Sequence, residues 1–156
     1  MTVKELVDSM KNIGFQATHI YDGVKLIKKM KDENATIFLS FTSNMASSGL
    51  REYFTHLIKN KMVDVIITSV GSIEEDFMKS KNSFILGDFD VSDKELHKKE
   101  INRVGNIFIP TKYYEELEKE LTPFFTELLE KQKKTGKMIS PSELIFDLGK
   151  KTEDEN

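Results

Sequence analysis

Residues 62–80 read MVDVIITSVGSIEEDFMKS, and the turn from one pattern to another inside this stretch decides the fold. From Met62 to Ser69 the run is mostly β-branched and apolar, Asp64 and Ser69 aside, the pattern of a strand of the buried type. Small residues then lead into a stretch that reads as the start of a helix and carries Glu74, Glu75 and Asp76 side by side. The same succession occurs once upstream. Residues 36–41, TIFLSF, predict a buried strand, and TSNMASSGL predicts a loop. Leu50, Tyr53, Phe54, Leu57 and Ile58 then fall on one helical face. Two successive strand, small-residue loop and helix units predict an α/β domain with parallel strands, whose ligands sit beyond the carboxyl ends of the strands.

Outward from this centre, Val3, Leu6, Val7, Met10 and Ile13 have helical spacing with Gly14 as the expected stop, and a second helix is expected from Ile20 to about Met30. Beyond Ser80, SFILG reads as a short extended segment, DFDVSDKELHKKE as a polar surface excursion and VGNIFIP as one strand. A long amphipathic helix follows from Tyr113 to about Lys133, with a kink expected at Pro123. A last helix opens on Ser140 as cap, Pro141 at the first helical position and Glu143 in the capping-box position. Residues 1–150 are expected to form one domain, and 151–156 a frayed tail.

A chain of 156 residues is long enough for a core of its own, since domains of this size bury roughly 70% of their unfolded surface. It has no cysteine, which excludes disulfides and thiolate metal sites and fits a reducing compartment. The 23 basic and 26 acidic residues leave a formal charge of −3, which gives no electrostatic case for nucleic acid. No apolar run spans a bilayer and no signal peptide is evident, so the expected setting is cytoplasmic.

Two loops could carry chemistry. Ser43, Asn44, Ser47 and Ser48 follow the first strand, where small polar residues and free helix-start amides can cradle a phosphate, although the same residues also make an ordinary helix cap. The three glycines of the dinucleotide fingerprint are not there. Acids in a first helical turn are favoured by the helix dipole by about 0.3–1 kcal/mol each, which accounts for one or two of the three. Adjacent helical residues point in different directions, so Glu74 and Glu75 would serve two ligand groups rather than one acid/base pair, and a cationic, amine-rich ligand suits them. His19, His56 and His97 lack metal-ligand spacing, so no metal site is expected. Phe124 and Phe125 read as core or as a partner interface.

TVKELVDSMKNIGFQATHI (2–20), FLSFTSNMASSGLREYFTHLIKNKMVDVIITSVGSIEEDFMK (38–79), LGDF (86–89) and INRVGNIFIP (101–110) together closely resemble deoxyhypusine synthase, over Thr2 to about Lys150. The resemblance implies a Rossmann-like NAD-binding fold with a mostly parallel sheet and flanking helices, here the amino-terminal half of the domain and so incomplete. It implies a transferase that uses NAD to oxidise spermidine, carries the aminobutyl group on an enzyme lysine and delivers it to a lysine of translation initiation factor 5A. It further implies that Ser43, Asn44, Met45, Ala46 and Ser47 form one NAD-binding loop and Ser69, Val70 and Gly71 a second. Glu74 and Glu75 would line the spermidine pocket, with Glu75 also near NAD. Family members place active sites between subunits of a tetramer.

Two departures bear on this expectation. The family's second loop carries alanine and paired glycines where this chain has Val70, Gly71 and Ser72, which would restrict the backbone there. The chain also ends after LIFDLGKK, where the family continues into the half that holds its nucleophilic lysine. No lysine here sits in such a motif, and the inhibitory leader of some members is not expected. The reading is therefore a half of a split enzyme, inactive alone, whose carboxyl half comes from a second chain in a hetero-oligomer; the exposed edge of a half-sheet and the aromatic long helix would offer the assembly surface. The alternatives are an inert regulatory subunit of a full-length paralogue and an autonomous NAD-binding module.

Overall fold

The computed structural model describes residues 1–152. The expected frayed tail falls outside the described residues for positions 153–156. The chain divides into two units, Met1–Leu39 with Lys61–Ile66 and Ser40–Asn60 with Ile67–Asn156.

In the first unit α1, Val3–Ser9, opens on a capping box. The Glu5 amide donates to Thr2 Oγ1 at 3.2 Å and the Thr2 amide donates to Glu5 Oε2 at 2.7 Å, satisfying two amides that a helix start leaves open. The helix tightens into a 3₁₀ turn at Met10–Asn12. The stop is not made by Gly14 as expected: Phe15 takes the positive φ of 55°, and α2 begins directly after it, running Gln16–Asp32, longer at both ends than its apolar spacing suggests. None of the described residues of this unit is buried. Leu6, Ile13, Ile20, Val24 and Ile27 all stand in solvent, so the predicted apolar faces form without the second layer that would cover them.

β1, Phe38–Phe41, and β2, Val65–Thr68, pair in parallel as a two-stranded sheet. Ile37 fixes their entry: its amide donates to the Asp64 carboxylate at 2.7 Å, and its carbonyl accepts from the amides of Asp64 and Val65. The expectation that both strands are buried is corrected, since Phe38 is 62% and Ile67 58% exposed. Continuous apolar strands belong in sheets covered on both sides, and a lone pair of strands lacks that cover.

The second unit holds α3, Ser43–Met45, a π-helical turn at Ala46–Leu50, α4, Arg51–Lys59, and α5, Val70–Lys79. Phe41 and Phe54 stack with ring centroids 3.8 Å apart. A three-stranded antiparallel sheet in the order β3-β5-β4 follows, from Ile85–Leu86, Ile101–Val104 and Ile107–Pro110, with α6, Asp93–Lys98, between β3 and β4. VGNIFIP is therefore not one strand. Gly105, at φ 61°, turns the chain between β4 and β5, and the α/β class combines one parallel pair with this antiparallel sheet.

α7 runs Thr111–Thr135 without a break at Pro123 and ends on Gly136 in the left-handed conformation. α8, Pro141–Gly149, starts on the predicted Ser140 and Glu143 capping box. α5, α7 and α8 meet around Phe77, Phe124, Leu128 and Leu148, flanked by Ile73, Leu117, Leu121, Ile139 and Leu144. Phe124 is in this core, whereas Phe125 is 46% exposed. The core the chain length allows is small: among the described residues the buried apolar set is these four with Ala46, Met78 and Ile109. Among the same residues no helix is long and apolar enough to cross a membrane.

Candidate functional site

The two loops singled out in the sequence meet in the second unit. Gly71, in the first turn of α5, packs against Ser43: a methyl group built on Gly71 would lie 3.0 Å from Ser43 Cβ and 3.3 Å from Ser43 Oγ. The glycine is used for close approach, not for its backbone freedom, because Val70, Gly71 and Ser72 are all helical. The departures at Val70 and Ser72 therefore impose no backbone strain. Val70 is exposed, while Ser72 is buried, its hydroxyl 2.5 Å from that of Thr68, which in turn donates to the Phe41 carbonyl at 2.8 Å.

α5 begins at Val70, so its first turn holds no acid. Glu74, Glu75 and Asp76 lie in the second turn, beyond the reach at which dipole capping is effective, so the helix dipole does not account for the cluster. Their surroundings separate them instead. Glu74 is exposed. Glu75 is half-buried and its Oε2 accepts from the Ser47 hydroxyl. Asp76 accepts from Arg51 Nε at 2.7 Å, an ion pair whose guanidinium is buried.

Burial raises the Glu75 carboxyl above its usual range; the Ser47 hydroxyl and the Lys79 charge pull it back down, and Glu74 pushes it up. Lys79 is lowered, first by burial and then by the Arg51 charge, against the pull of Glu52, Glu75 and Asp76. Its ammonium donates to the carbonyls of Ala46 and Ser47, each at 3.0 Å. Tyr114, from α7, is raised by burial and by the charges of Glu75 and Glu74. The arrangement thus offers one solvent-facing carboxylate and one desolvated carboxylate held by a hydroxyl, which together can bind separated positive charges on one ligand.

Of the residues assigned to the first loop, Ser43 is half-buried, Asn44 and Met45 are exposed, and Ala46 and Ser47 are buried. The Asn44 side-chain oxygen accepts from the Thr42 hydroxyl. Ser69 caps α5 with extended backbone and makes no side-chain cap bond, which leaves an exposed hydroxyl beside the open amides of a helix start, a setting that fits a pyrophosphate. The three histidines lie elsewhere: His19 bonds Gln16 and His56 bonds Asn60, and His97 is in α6.

Arg51, Lys79 and Tyr114 were missed by the sequence reading. Arg51 and Lys79 each follow a site residue, Ser47 and Glu75, by one helical turn, a spacing that could have flagged them. Tyr114 arrives from a distant helix and carries no local signal.

A family model described as deoxyhypusine synthase matches residues 5–156. A protein of Pyrococcus furiosus named "Probable deoxyhypusine synthase" is 46% identical, with 96% of this chain aligned to 46% of that one. A protein of the same name from Schizosaccharomyces pombe is 40% identical, over 100% of this chain and 48% of its own length. A crystal structure described as that of "a putative deoxyhypusine synthase from Entamoeba histolytica" superposes with a TM-score of 0.68 at 28% identity, covering 99% of this chain and 54% of that one. The chain spans about half the length of the curated relatives it matches.

Proposed function

The chain belongs to the deoxyhypusine synthase family, and on that premise we propose that it supplies the amino-terminal half of a deoxyhypusine synthase active unit. It contributes the NAD-facing loops, Ser43–Ser47 and Ser69–Gly71, and the spermidine-facing carboxylates Glu74 and Glu75. A second chain, in a cytoplasmic hetero-oligomer, supplies the carboxyl half with the nucleophilic lysine. The product is translation initiation factor 5A carrying the aminobutyl group of spermidine on one lysine.

The observation that carries this reading is the hydrogen bond from Ser47 to Glu75, which joins the proposed cofactor loop to the proposed polyamine loop through a desolvated carboxylate. A carboxylate in such a setting attracts an ammonium group more strongly than one in water. The NAD assignment draws support from the open start of α5 at Ser69 and from the close packing of Gly71 on Ser43. Apolar side chains left in solvent, Phe38 and Ile67 on the strand pair and Phe125 on α7, supply surface for a partner to cover.

Glu74→Gln, Glu75→Gln and Asn44→Ala variants, assembled with a carboxyl-half polypeptide, test the assignment. Assembly should persist while turnover with NAD and spermidine falls at least tenfold. Unchanged turnover in all three would make the chain a regulatory subunit instead.

A further inference from the structure

The π-helical turn Ala46–Leu50 is interrupted at Gly49, whose φ of 104° and ψ of 17° lie outside helical space. Ala46 and Ser47 in this turn are only 3% and 1% exposed as residues. Lys79 Nζ donates to both of their carbonyls, at 3.0 Å to each, with the Phe84 ring centroid 5.3 Å from the same ammonium.

Lys79 is the last residue of α5, one turn beyond Glu75 on the same helix. Ser47, whose carbonyl it holds, is the residue whose hydroxyl donates to Glu75. Helix, lysine, turn and hydroxyl thus close a ring that returns to the carboxylate. Two charge-assisted hydrogen bonds offset the rotamer entropy that a long lysine side chain gives up on being ordered.

We infer that Lys79 is a positioning residue for Glu75: by clamping the Ala46 and Ser47 carbonyls to the end of α5, it holds the Ser47 hydroxyl on the carboxylate. The inference rests on the proposed role of Glu75 as a ligand-facing group. Glu75 is faced by Lys79 and Glu74 from its own helix, by Ser47 from the turn and by Tyr114 from α7. Lys79 is faced by Arg51 and Glu52 from α4 and by Glu75 and Asp76 from α5. A lysine that reached Glu75 through its charge alone would shift the carboxyl by the same amount whether or not the Ser47 hydroxyl is present.

The test is a carbon-13 NMR titration of the Glu75 carboxyl in the full chain, comparing the unsubstituted protein with Lys79→Met and Lys79→Arg. Lys79→Met should raise the Glu75 midpoint by roughly half a pH unit or more, because both the nearby cation and the Ser47 bond weaken. Lys79→Arg, which keeps a cation and donors, should return it most of the way. In a Ser47→Ala background the Lys79→Met shift should shrink to the part that the charge alone supplies; a shift of equal size in both backgrounds, or no shift in either, would overturn the inference. If Lys79→Met does not fold, Lys79→Gln is read in the same way. The titration needs neither NAD nor a partner chain, so its outcome is separate from the proposed function, which falls if the assembled unsubstituted protein binds no NAD.

Discussion

The Ser47 hydroxyl donates to the Glu75 carboxylate across 28 residues of sequence, and it does so where burial has already pushed that carboxyl up. A carboxyl raised on folding contributes stability that is fully present below its unfolded value, about 4.5, and is lost as the pH rises through the higher folded value. Glu75→Gln should therefore be the more stable protein at pH 7, by no more than about 1 kcal/mol because the site is partly solvated. The advantage should vanish near pH 3.5, as read by urea melts at the two pH values.

Gly71→Ala sets two effects against each other. Alanine is preferred to glycine in a helix by about 1 kcal/mol, but its methyl would sit 3.0 Å from Ser43 Cβ and must push the first loop aside. Thermal stability should change by no more than a few degrees. NAD affinity in the assembled protein should fall about tenfold, roughly 1.4 kcal/mol, which calorimetric titration would measure.

Gly87 sits beneath the Phe108 ring, and a methyl there would overlap ring carbons Cδ2, Cε2 and Cζ. Because Gly87 also donates from its amide to the Asn106 carbonyl at 2.7 Å, it cannot retreat freely. Gly87→Ala should cost about 1–3 kcal/mol, as overpacking does. Adding Phe108→Leu should recover part of the loss in a double-mutant cycle.

The α8 capping box offers a pH test well away from the site. The Lys137 ammonium beside Glu143, at 2.8 Å, together with the Ser140 amide and hydroxyl, holds the Glu143 carboxyl down to about 2. A depressed carboxyl contributes stability above its unfolded value, about 4.5, that is lost as the pH falls through the folded value. Ser140→Ala should cost about 1 kcal/mol at pH 7. Glu143→Gln should flatten the stability profile between about pH 4.5 and 2, as followed by circular dichroism.

Much of this molecule was legible in its sequence where local chemistry decides structure. Ser140, Pro141 and Glu143 announced α8, and the apolar run ending at Ser69 announced a helix after it, although α5 starts at Val70, earlier than a first turn carrying the three acids implied. What was not legible depended on contacts made elsewhere. The run around Val65 to Thr68 carries the composition of a doubly covered strand, yet composition cannot say whether cover is present, and Ile67 is exposed. VGNIFIP hid a hairpin because Gly105 supplies the positive φ that a single glycine between apolar residues does not advertise. At the site, small and acidic residues drew attention to both segments, but TSNMASSGL, read as a loop, forms α3 and the π-helical turn from Ser43 to Leu50. The separate surroundings of Glu74, Glu75 and Asp76 were not readable, because they depend on Ser47 and Arg51 arriving from another stretch of chain.

If this chain carries the cofactor and polyamine segments of an active unit completed by a second polypeptide, as proposed, the pair must catalyse the whole reaction. That is read by transfer of radiolabelled aminobutyl groups from spermidine to translation initiation factor 5A, in the presence of NAD. The chain is assayed alone, with a carboxyl-half polypeptide from the same source, and with that polypeptide plus Glu75→Gln in this chain. The account predicts no transfer by the chain alone, transfer by the pair, and loss of at least nine-tenths of that transfer with Glu75→Gln. A stable pair that transfers nothing, or one whose transfer is indifferent to Glu75, would contradict it.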